Sequence, residues 1–247
     1  MAEDIKMEEV KEPANVNAEA IAKEPANANA DQERELAVKG IVEMYVGETR
    51  QHIEVTKAYY KTLFFELKKI MSEKGDKSIP NFEKSAMEYY ENVVEHHDED
   101  KLKDPEVTKF LALRHFNHKT NGEYRLTDYE EERGEELIRE HRRSCPHHVE
   151  CGMFHLARCT EFGEDKHRFQ FNYFALMEMA ADWCSVAEEL GVDVVRWFRT
   201  QLKKGVYVLP DEVIQTVETF ANILKPFLEE NRKLGRFGLH QPDHCIK

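Results

Sequence analysis

Histidine and carboxylate side chains at four positions are the residues of this sequence best suited to chemistry. His97 and Asp98 are adjacent in the chain. His52 lies on the apolar side of a helical stretch, and Asp182 lies inside the most apolar helical stretch of the chain. A buried imidazole needs a polar partner, and an unpaired buried carboxylate is costly. Because imidazole and carboxylate groups both bind divalent metal ions, one ion would satisfy all of these side chains. The predicted metal ligands are His52, His97, Asp98 and Asp182.

A second group of histidines lies in the segment HRRSCPHH, which runs from His141 to His148. Pro146 suits the first position of a helix, which predicts that His147 and His148 lie in a first helical turn. The free N–H groups of such a turn favour anions, and the two arginines of the segment add positive charge. A phosphate or carboxylate could therefore be held here against the metal. The alternative is that these three histidines are surface or capping residues.

A structural zinc site is a competing interpretation of the cysteines. Cys151, His155 and Cys159 are spaced four residues apart and would share one side of a helix. Three such residues extend over about 12 Å along a helix, which is too far for one tetrahedral ion. Small thiols that face a core are the favoured interpretation. The sequence also contains neither of the two glycine-rich phosphate-binding motifs nor a G-x-S-x-G nucleophile motif.

The spacing of apolar residues predicts an all-α fold that must position these side chains. Apolar residues recur at intervals of three, four and seven, as on one face of a helix. Gly75 and Pro80 separate the first two helical stretches, and the Asn-Gly pair in the segment from Thr120 to Thr127 predicts a turn or short hairpin. The apolar side of the last helix is expected to complete the core. The predicted helices cover about 38–67, 86–97, 105–117, 129–143, 146–159, 169–190, 192–202 and 211–232.

Residues 1–32 are predicted to form a disordered acidic tail. They contain no aromatic residue, and two near-copies of a motif with the sequence KEPAN begin twelve residues apart, at Lys11 and Lys23. Such a repeat, with one proline and no aromatic group, buries too little surface to offset the entropy of ordering. The remainder, residues 33–247, is predicted to be a single all-helical domain.

Composition limits the classes of function. Hydrophobic residues make up 41% of the 247 residues, which is enough for one sizeable core. The net charge of −13 disfavours a nucleic-acid surface, which needs a basic patch. No apolar run reaches the roughly 18 residues of a membrane span, and the first residues lack the basic and apolar regions of a signal peptide. Five cysteines, an odd number, indicate reduced thiols. We expect a cytoplasmic protein, with a nuclear location left open and no membrane partner.

The order His52, His97-Asp98, Asp182 resembles the H…HD…D pattern of the HD-domain metal-dependent phosphohydrolase superfamily, which has an all-helical fold. More narrowly, the chain is similar to a domain-of-unknown-function family within this group. Members of that family show HD-x-S-K, then H-x-x-x-N-P-H-H, then a methionine-rich helix that ends in Asp-Trp. The similarity covers roughly residues 49–200. Two positions depart from the pattern, because Asp100 replaces the serine and Cys145 replaces the asparagine.

This resemblance implies a metal-dependent hydrolase that acts on a phosphate-containing small molecule. Its divalent ion (Mn, Mg, Fe, Co or Zn) would be bound by the four predicted ligands. Charge on the transferred group would be neutralised by Lys101 and by one or more of His141, His147 and His148. Alternatively, the histidines would bind a second ion that Asp98 bridges.

Two alternative functions stay open at this point. Some HD-fold relatives hold two irons and oxidise their substrates with oxygen, and a histidine-rich site is compatible with that chemistry. The other alternative is a non-catalytic helical metal-binding or interaction protein, whose metal site is structural and whose acidic tail contacts partners.

Overall fold

A computed structural model describes residues 28–148, 151, 172–207 and 209–234, with side chains from Asp31 onward. Within these residues the protein is all-α and has no strand, as the apolar spacing predicts. No helix among them combines the length and the apolar character that crossing a membrane requires. The elements are α1 (Ala28–Glu73), α2 (Ile79–Asn92), a 3-10 turn (Val94–His96), α3 (Asp100–Lys103), α4 (Pro105–Lys119), α5 (Asp128–Ser144), α6 (Tyr173–Glu189), α7 (Val194–Lys203) and α8 (Asp211–Leu234).

Local side-chain chemistry sets several helix ends. Asp104 caps α4 by accepting hydrogen bonds from two backbone N–H groups of its first turn. Thr127 and Glu130 form a capping box at the start of α5, so each side chain bonds to the backbone of the other residue. Between these helices, Asn121 and Gly122 have φ angles of 54° and 92°. The turn predicted from the Asn-Gly pair is therefore confirmed, with both residues in the left-handed region.

The predicted continuation of the second helix to His97 is wrong. α2 ends at Asn92, the chain passes through the 3-10 turn, and His97 has a φ of −49° and a ψ of 125°, outside the helical region. Asp98 follows with a φ of 56°. Consecutive side chains on a helix diverge by about 100°, so a continuous helix would turn one of these two residues away. Leaving the helix allows both side chains to be buried, at 2% and 3% exposure.

The helix predicted to begin at Pro146 does not begin there. Cys145 ends α5 with a φ of −91° and a ψ of 121°, and residues 146–148 form a turn. The turn is closed by a 3.0 Å hydrogen bond from the His148 N–H to the Cys145 carbonyl. His147 and His148 are thus presented by a turn after α5. Most of the predicted helix over 146–159 lies outside the described residues.

Other predictions also fall outside the described residues. Residues 1–27 of the predicted tail lie outside the described residues. Residues 28–32, which were also predicted to be part of the tail, form the start of α1. The chain divides into a unit of residues Met1–Ala37 and a unit of residues Val38–Lys247. The core and the candidate centre belong to the second unit. His155 and Cys159 of the alternative zinc site are not described either.

Two hydrophobic clusters lie among the described residues. The larger, called the large cluster below, joins the C-terminal half of α1 to α2, α6, α7 and α8. The apolar side of α8 faces this cluster, which confirms that the last helix completes the core. Its large, almost completely buried side chains include Tyr60, Leu63, Met177, Phe198, Val217 and Leu224.

A small cluster joins the N-terminal half of α1 to α4 and α5. Its buried members on α1 are Ile41 and Tyr45, whereas the large cluster begins on α1 at Val55. His52 lies on α1 between these two sets of buried residues. The candidate ligand on α1 is therefore positioned where one long helix passes from one cluster to the other.

The carboxylate of Glu48 links α1 to α4. Its oxygens lie 3.2 Å from His115 Nε2 and 2.6 Å from Lys119 Nζ. The hydrogen bond from His115 is the largest influence, and together with Lys119 it outweighs burial and lowers the pKa of Glu48 to about 2. His115 thus has a structural partner away from the predicted ligands.

Replacing Glu48 with glutamine is expected to lower the free energy of unfolding by about 1 kcal/mol near neutral pH, because this partly exposed pair is screened by solvent. Since the pKa is depressed in the folded state, the contribution is present above about pH 4.5 and is lost as the pH falls towards 2. Urea unfolding of both proteins at a series of pH values should show the difference shrinking over that range. Glu43→Gln, an exposed change on the same helix, is the control. A difference that does not vary with pH would contradict this account.

Candidate metal centre

The structure brings the four predicted metal ligands together from three parts of the fold. His52 Nε2 on α1 lies 2.9 Å from Asp182 Oδ1 on α6, and His97 Nε2 lies 3.6 Å from the same oxygen. One ligand atom from each of these three residues lies within 4.8 Å of the other two. Asp98 Oδ2 lies 3.6 Å from His52 Nε2 and 3.7 Å from His97 Nε2. We call His52, His97 and Asp182, together with Asp98 Oδ2, the first ligand group.

The other oxygen of Asp98 faces the predicted histidine segment. Asp98 Oδ1 lies 3.1 Å from His141 Nε2 and 3.7 Å from His147 Nε2. His148 Nε2 lies 2.9 Å from His141 Nε2. One ligand atom from each of these four residues lies within 4.8 Å of the others. We call the three histidines, together with Asp98 Oδ1, the second ligand group. Asp98 is shared, with one oxygen in each group.

Three buried atoms in the two groups have no hydrogen-bond partner among the described residues. They are His97 Nε2, His147 Nε2 and Asp98 Oδ1, the last of which is near His141 Nε2 but not in hydrogen-bond geometry with it. A buried polar atom without a partner is unfavourable, and structures rarely leave several of them together. Imidazole nitrogens and carboxylate oxygens at this spacing are the donors that borderline divalent ions bind. The residues present therefore fit a metal ion, and the fit rests on orphaned donor atoms as well as on proximity.

Lys101, predicted to neutralise charge, lies beside the shared carboxylate. It is in α3, and its Nζ is 2.6 Å from Asp98 Oδ2. Burial disfavours the ammonium form, but the charge of Asp98 outweighs burial and raises the pKa of Lys101 above its ordinary value. Lys101 therefore supplies a fixed positive charge next to the first ligand group.

Neighbouring side chains orient the histidines of both groups. Ser185 Oγ is 3.0 Å from His52 Nδ1, on the side of the ring away from Asp182. Asp100 Oδ2 accepts a 2.7 Å hydrogen bond from His141 Nδ1, and Cys145 Sγ lies 3.3 Å from the same nitrogen. The two positions that depart from the family pattern thus both contact His141. Hydrogen bonds of this kind fix which ring nitrogen is free to bind a metal.

Glu178 is a member of the site that the sequence prediction missed. It lies on α6 one helical turn before Asp182 and is 1% exposed. Its Oε1 lies 2.9 Å from His97 Nδ1 and 3.1 Å from His147 Nδ1, and its Oε2 accepts a 2.7 Å hydrogen bond from Tyr89. The signal was available, because Glu178 sits in the same apolar stretch as Asp182 and the same burial argument applies to it.

The buried carboxylates of the centre are surrounded by positive groups. Burial disfavours the ionised form of Asp98 and Asp182, yet neighbouring positive groups outweigh burial and hold the pKa of each well below its usual range. Hydrogen bonds from His147 and His97 likewise outweigh burial and lower the pKa of Glu178 to about 2. Three buried carboxylates therefore stay ionised and attract cations.

The histidines respond to these charges in opposite ways. Burial disfavours protonation of His97, but Asp98, together with the other nearby carboxylates, outweighs burial and raises its pKa to about 10. Burial is likewise outweighed at His141, where the hydrogen bond to Asp100 contributes most to raising the pKa to about 11. Burial and the adjacent His147 lower the pKa of His148 to about 2. His148 is thus a neutral nitrogen acceptor at pH 7.

Comparison with protein-family models matches residues 42–226 to DUF5662, a family of unknown function. This range contains every residue of both ligand groups. No curated protein matches the chain. No solved structure matches it either.

Proposed function

The chain belongs to the DUF5662 family of unknown function, and from the geometry of its candidate metal centre we propose that it is an HD-type metal-dependent hydrolase. The proposed substrate is a phosphate-containing small molecule. The observation that carries the proposal is the shared position of Asp98, whose two oxygens face two separate ligand groups. The first ligand group would hold one ion, and the second would hold another.

A divalent ion held there would lower the pKa of bound water towards neutrality and polarise a phosphoryl oxygen. Lys101 would offset the negative charge that develops on the phosphoryl group, since its ammonium is fixed 2.6 Å from Asp98. His148, whose pKa is lowered to about 2 by burial and by His147, stays neutral at pH 7 and would serve as a ligand of the second ion. Two exposed arginines, Arg142 and Arg143, lie in the last turn of α5, before the turn that carries His147 and His148. They add positive charge that suits an anionic substrate.

Elemental analysis of the purified protein, followed by a phosphatase and nucleotidase panel with each candidate metal, tests this proposal. We expect at least one divalent ion per chain and release of phosphate or of a phosphorylated product from at least one substrate class. A protein that binds no divalent ion would overturn the proposal. So would a metal-loaded protein that hydrolyses no member of the panel.

The same purified protein separates the two alternatives. The two ligand groups contain five histidines in all. Imidazole binds iron as well as it binds other divalent ions, so these donors are also compatible with an iron centre. An iron-specific absorption spectrum after aerobic purification, without phosphatase activity, would favour a di-iron oxygenase. Bound metal without turnover, combined with loss of both fold and metal in Asp182→Ala, would favour a structural metal site.

A further inference from the structure

One buried carboxylate touches a histidine from each ligand group. Glu178 Oε1 lies 2.9 Å from His97 Nδ1 and 3.1 Å from His147 Nδ1. The rings of these two histidines are close, with centroids 4.3 Å apart. Both histidines and Glu178 are at most 3% exposed, so solvent does not weaken these contacts. A single oxygen therefore meets both groups.

The contact with Glu178 determines which nitrogen each ring can offer to a metal. An ionised carboxylate only accepts hydrogen bonds, so Nδ1 of both His97 and His147 must carry a hydrogen. The remaining nitrogens, both Nε2, are the buried atoms without partners among the described side chains. Glu178 thus fixes the ring orientation of one ligand in the first group and one in the second, and it leaves Nε2 of each ring as the nitrogen that would bind an ion.

A third contact holds the carboxylate itself in place. Tyr89 on α2 donates a 2.7 Å hydrogen bond to Glu178 Oε2. Burial, then the charge of Glu178, raise the pKa of Tyr89 above its ordinary value, so the hydroxyl remains a donor. Because both carboxylate oxygens have partners, the Glu178 carboxylate cannot rotate towards one histidine without changing its contact with the other.

We infer that Glu178 is a positioning residue that couples metal binding at the first ligand group to metal binding at the second. Glu178 Oε1 contacts Nδ1 of both rings, so fixing His97 on an ion would also fix the oxygen that orients His147. The negative charge of Glu178 also lies beside both groups, where it reduces the repulsion between two divalent ions. The inference rests on the proposed two-ion centre, and it adds that the two positions fill together.

Titration of the full-length, chelator-treated protein with Co²⁺ tests this coupling. Binding would be followed by calorimetry and by the visible absorption of the ion. For the wild type we expect two ions in one transition. In Glu178→Gln we expect roughly 10- to 100-fold weaker binding, split into two separate transitions. The matched control is Glu188→Gln, because Glu188 lies on the same helix and accepts a 2.5 Å hydrogen bond from Tyr59 without contact with either ligand group. This control should titrate like the wild type.

Each other outcome is decisive. If Glu178→Gln still binds two ions in one transition, whether as tightly as the wild type or more weakly, the coupling is refuted while the proposed function stands. A wild type that binds one ion, or two in separate transitions, also refutes the coupling alone. A wild type that binds no divalent ion refutes the proposed function itself.

A second variant covers the case in which Glu178→Gln does not fold. Tyr89→Phe removes the hydrogen bond to Oε2 and leaves the carboxylate present. We expect a several-fold loss of affinity and a broader transition in this variant. A titration curve identical to that of the wild type would refute the inference.

Discussion

Replacing Asp98 with asparagine is expected to remove the bound metal and to lower the rate of substrate hydrolysis by more than about 100-fold. Loss of a residue that only orients a metal ligand already lowers affinity or activity by roughly 10- to 100-fold. Asp98 is expected to exceed that range because its two oxygens face both ligand groups. The change also removes the carboxylate that holds Lys101 at 2.6 Å.

Asparagine is the appropriate substitution because of the backbone at this position. Asp98 has a φ of 56°, in the left-handed region that aspartate and asparagine tolerate better than other residues with side chains. Asp98→Asn therefore removes the charge and keeps the turn, whereas alanine would add backbone strain. Elemental analysis and hydrolysis rates measure the effect, and circular dichroism verifies the fold.

The adjacent residue provides the control for Asp98→Asn. Glu99 pairs with His96, and both side chains are largely exposed. Glu99→Gln should keep the metal content and the hydrolysis rate of the wild type. Full metal content and full activity in Asp98→Asn would show that the shared carboxylate is not a ligand.

Replacing Phe198 with alanine is expected to lower the free energy of unfolding by about 3–5 kcal/mol. Phe198 on α7 is completely buried in the large cluster, and its ring centroid lies 4.7 Å from that of Trp183. The large loss is expected because the fixed helices around the ring cannot close the cavity that the substitution leaves. Unfolding in urea, followed by circular dichroism, measures the change.

An exposed phenylalanine supplies the comparison for Phe198→Ala. Phe65 on α1 is 61% exposed, and Phe65→Ala should change the free energy of unfolding by about 1 kcal/mol or less. If Phe198→Ala were no more destabilising than Phe65→Ala, the packing of α7 against α6 would not be as described.

The members of the first ligand group could be selected from the sequence because burial makes polar residues conspicuous. His52 and Asp182 each stand among apolar residues at helical spacing, and an isolated charge there requires a partner. The adjacent pair His97 and Asp98 completed a pattern that resembles a known superfamily. The structure brings all four within reach of one another, although their binding of a metal stays a prediction.

The spacing of apolar residues did not predict the backbone conformation at the candidate metal centre. The stripe of apolar residues in α2 continues to His97, so it predicts a helix through a segment that leaves the helix at Asn92. The left-handed backbone of Asp98 has no signal in hydrophobic periodicity. The same limit applies to Pro146, which suits a helix start but here lies in a turn.

Glu178 was missed for a different physical reason. A glutamate between two methionines is compatible with an ordinary exposed helix position, and its place in an apolar stretch indicates burial but not its contacts with His97 and His147. Those contacts depend on how α6 is rotated against the turn after α5, which spacing along one helix does not determine. Applying the burial argument to every charged residue in the α6 sequence would have selected Glu178 together with Asp182.

The spread of the site residues along the chain has a consequence for the order in which the protein is made. All members of the second ligand group lie between Asp98 and His148, so they leave the ribosome before α6 exists. The first ligand group is complete only once α6 has been made, because Asp182 of that helix is one of its members. Because Asp182 belongs to the first group and Glu178 orients His147 of the second, both halves of the centre are complete only after synthesis has passed α6.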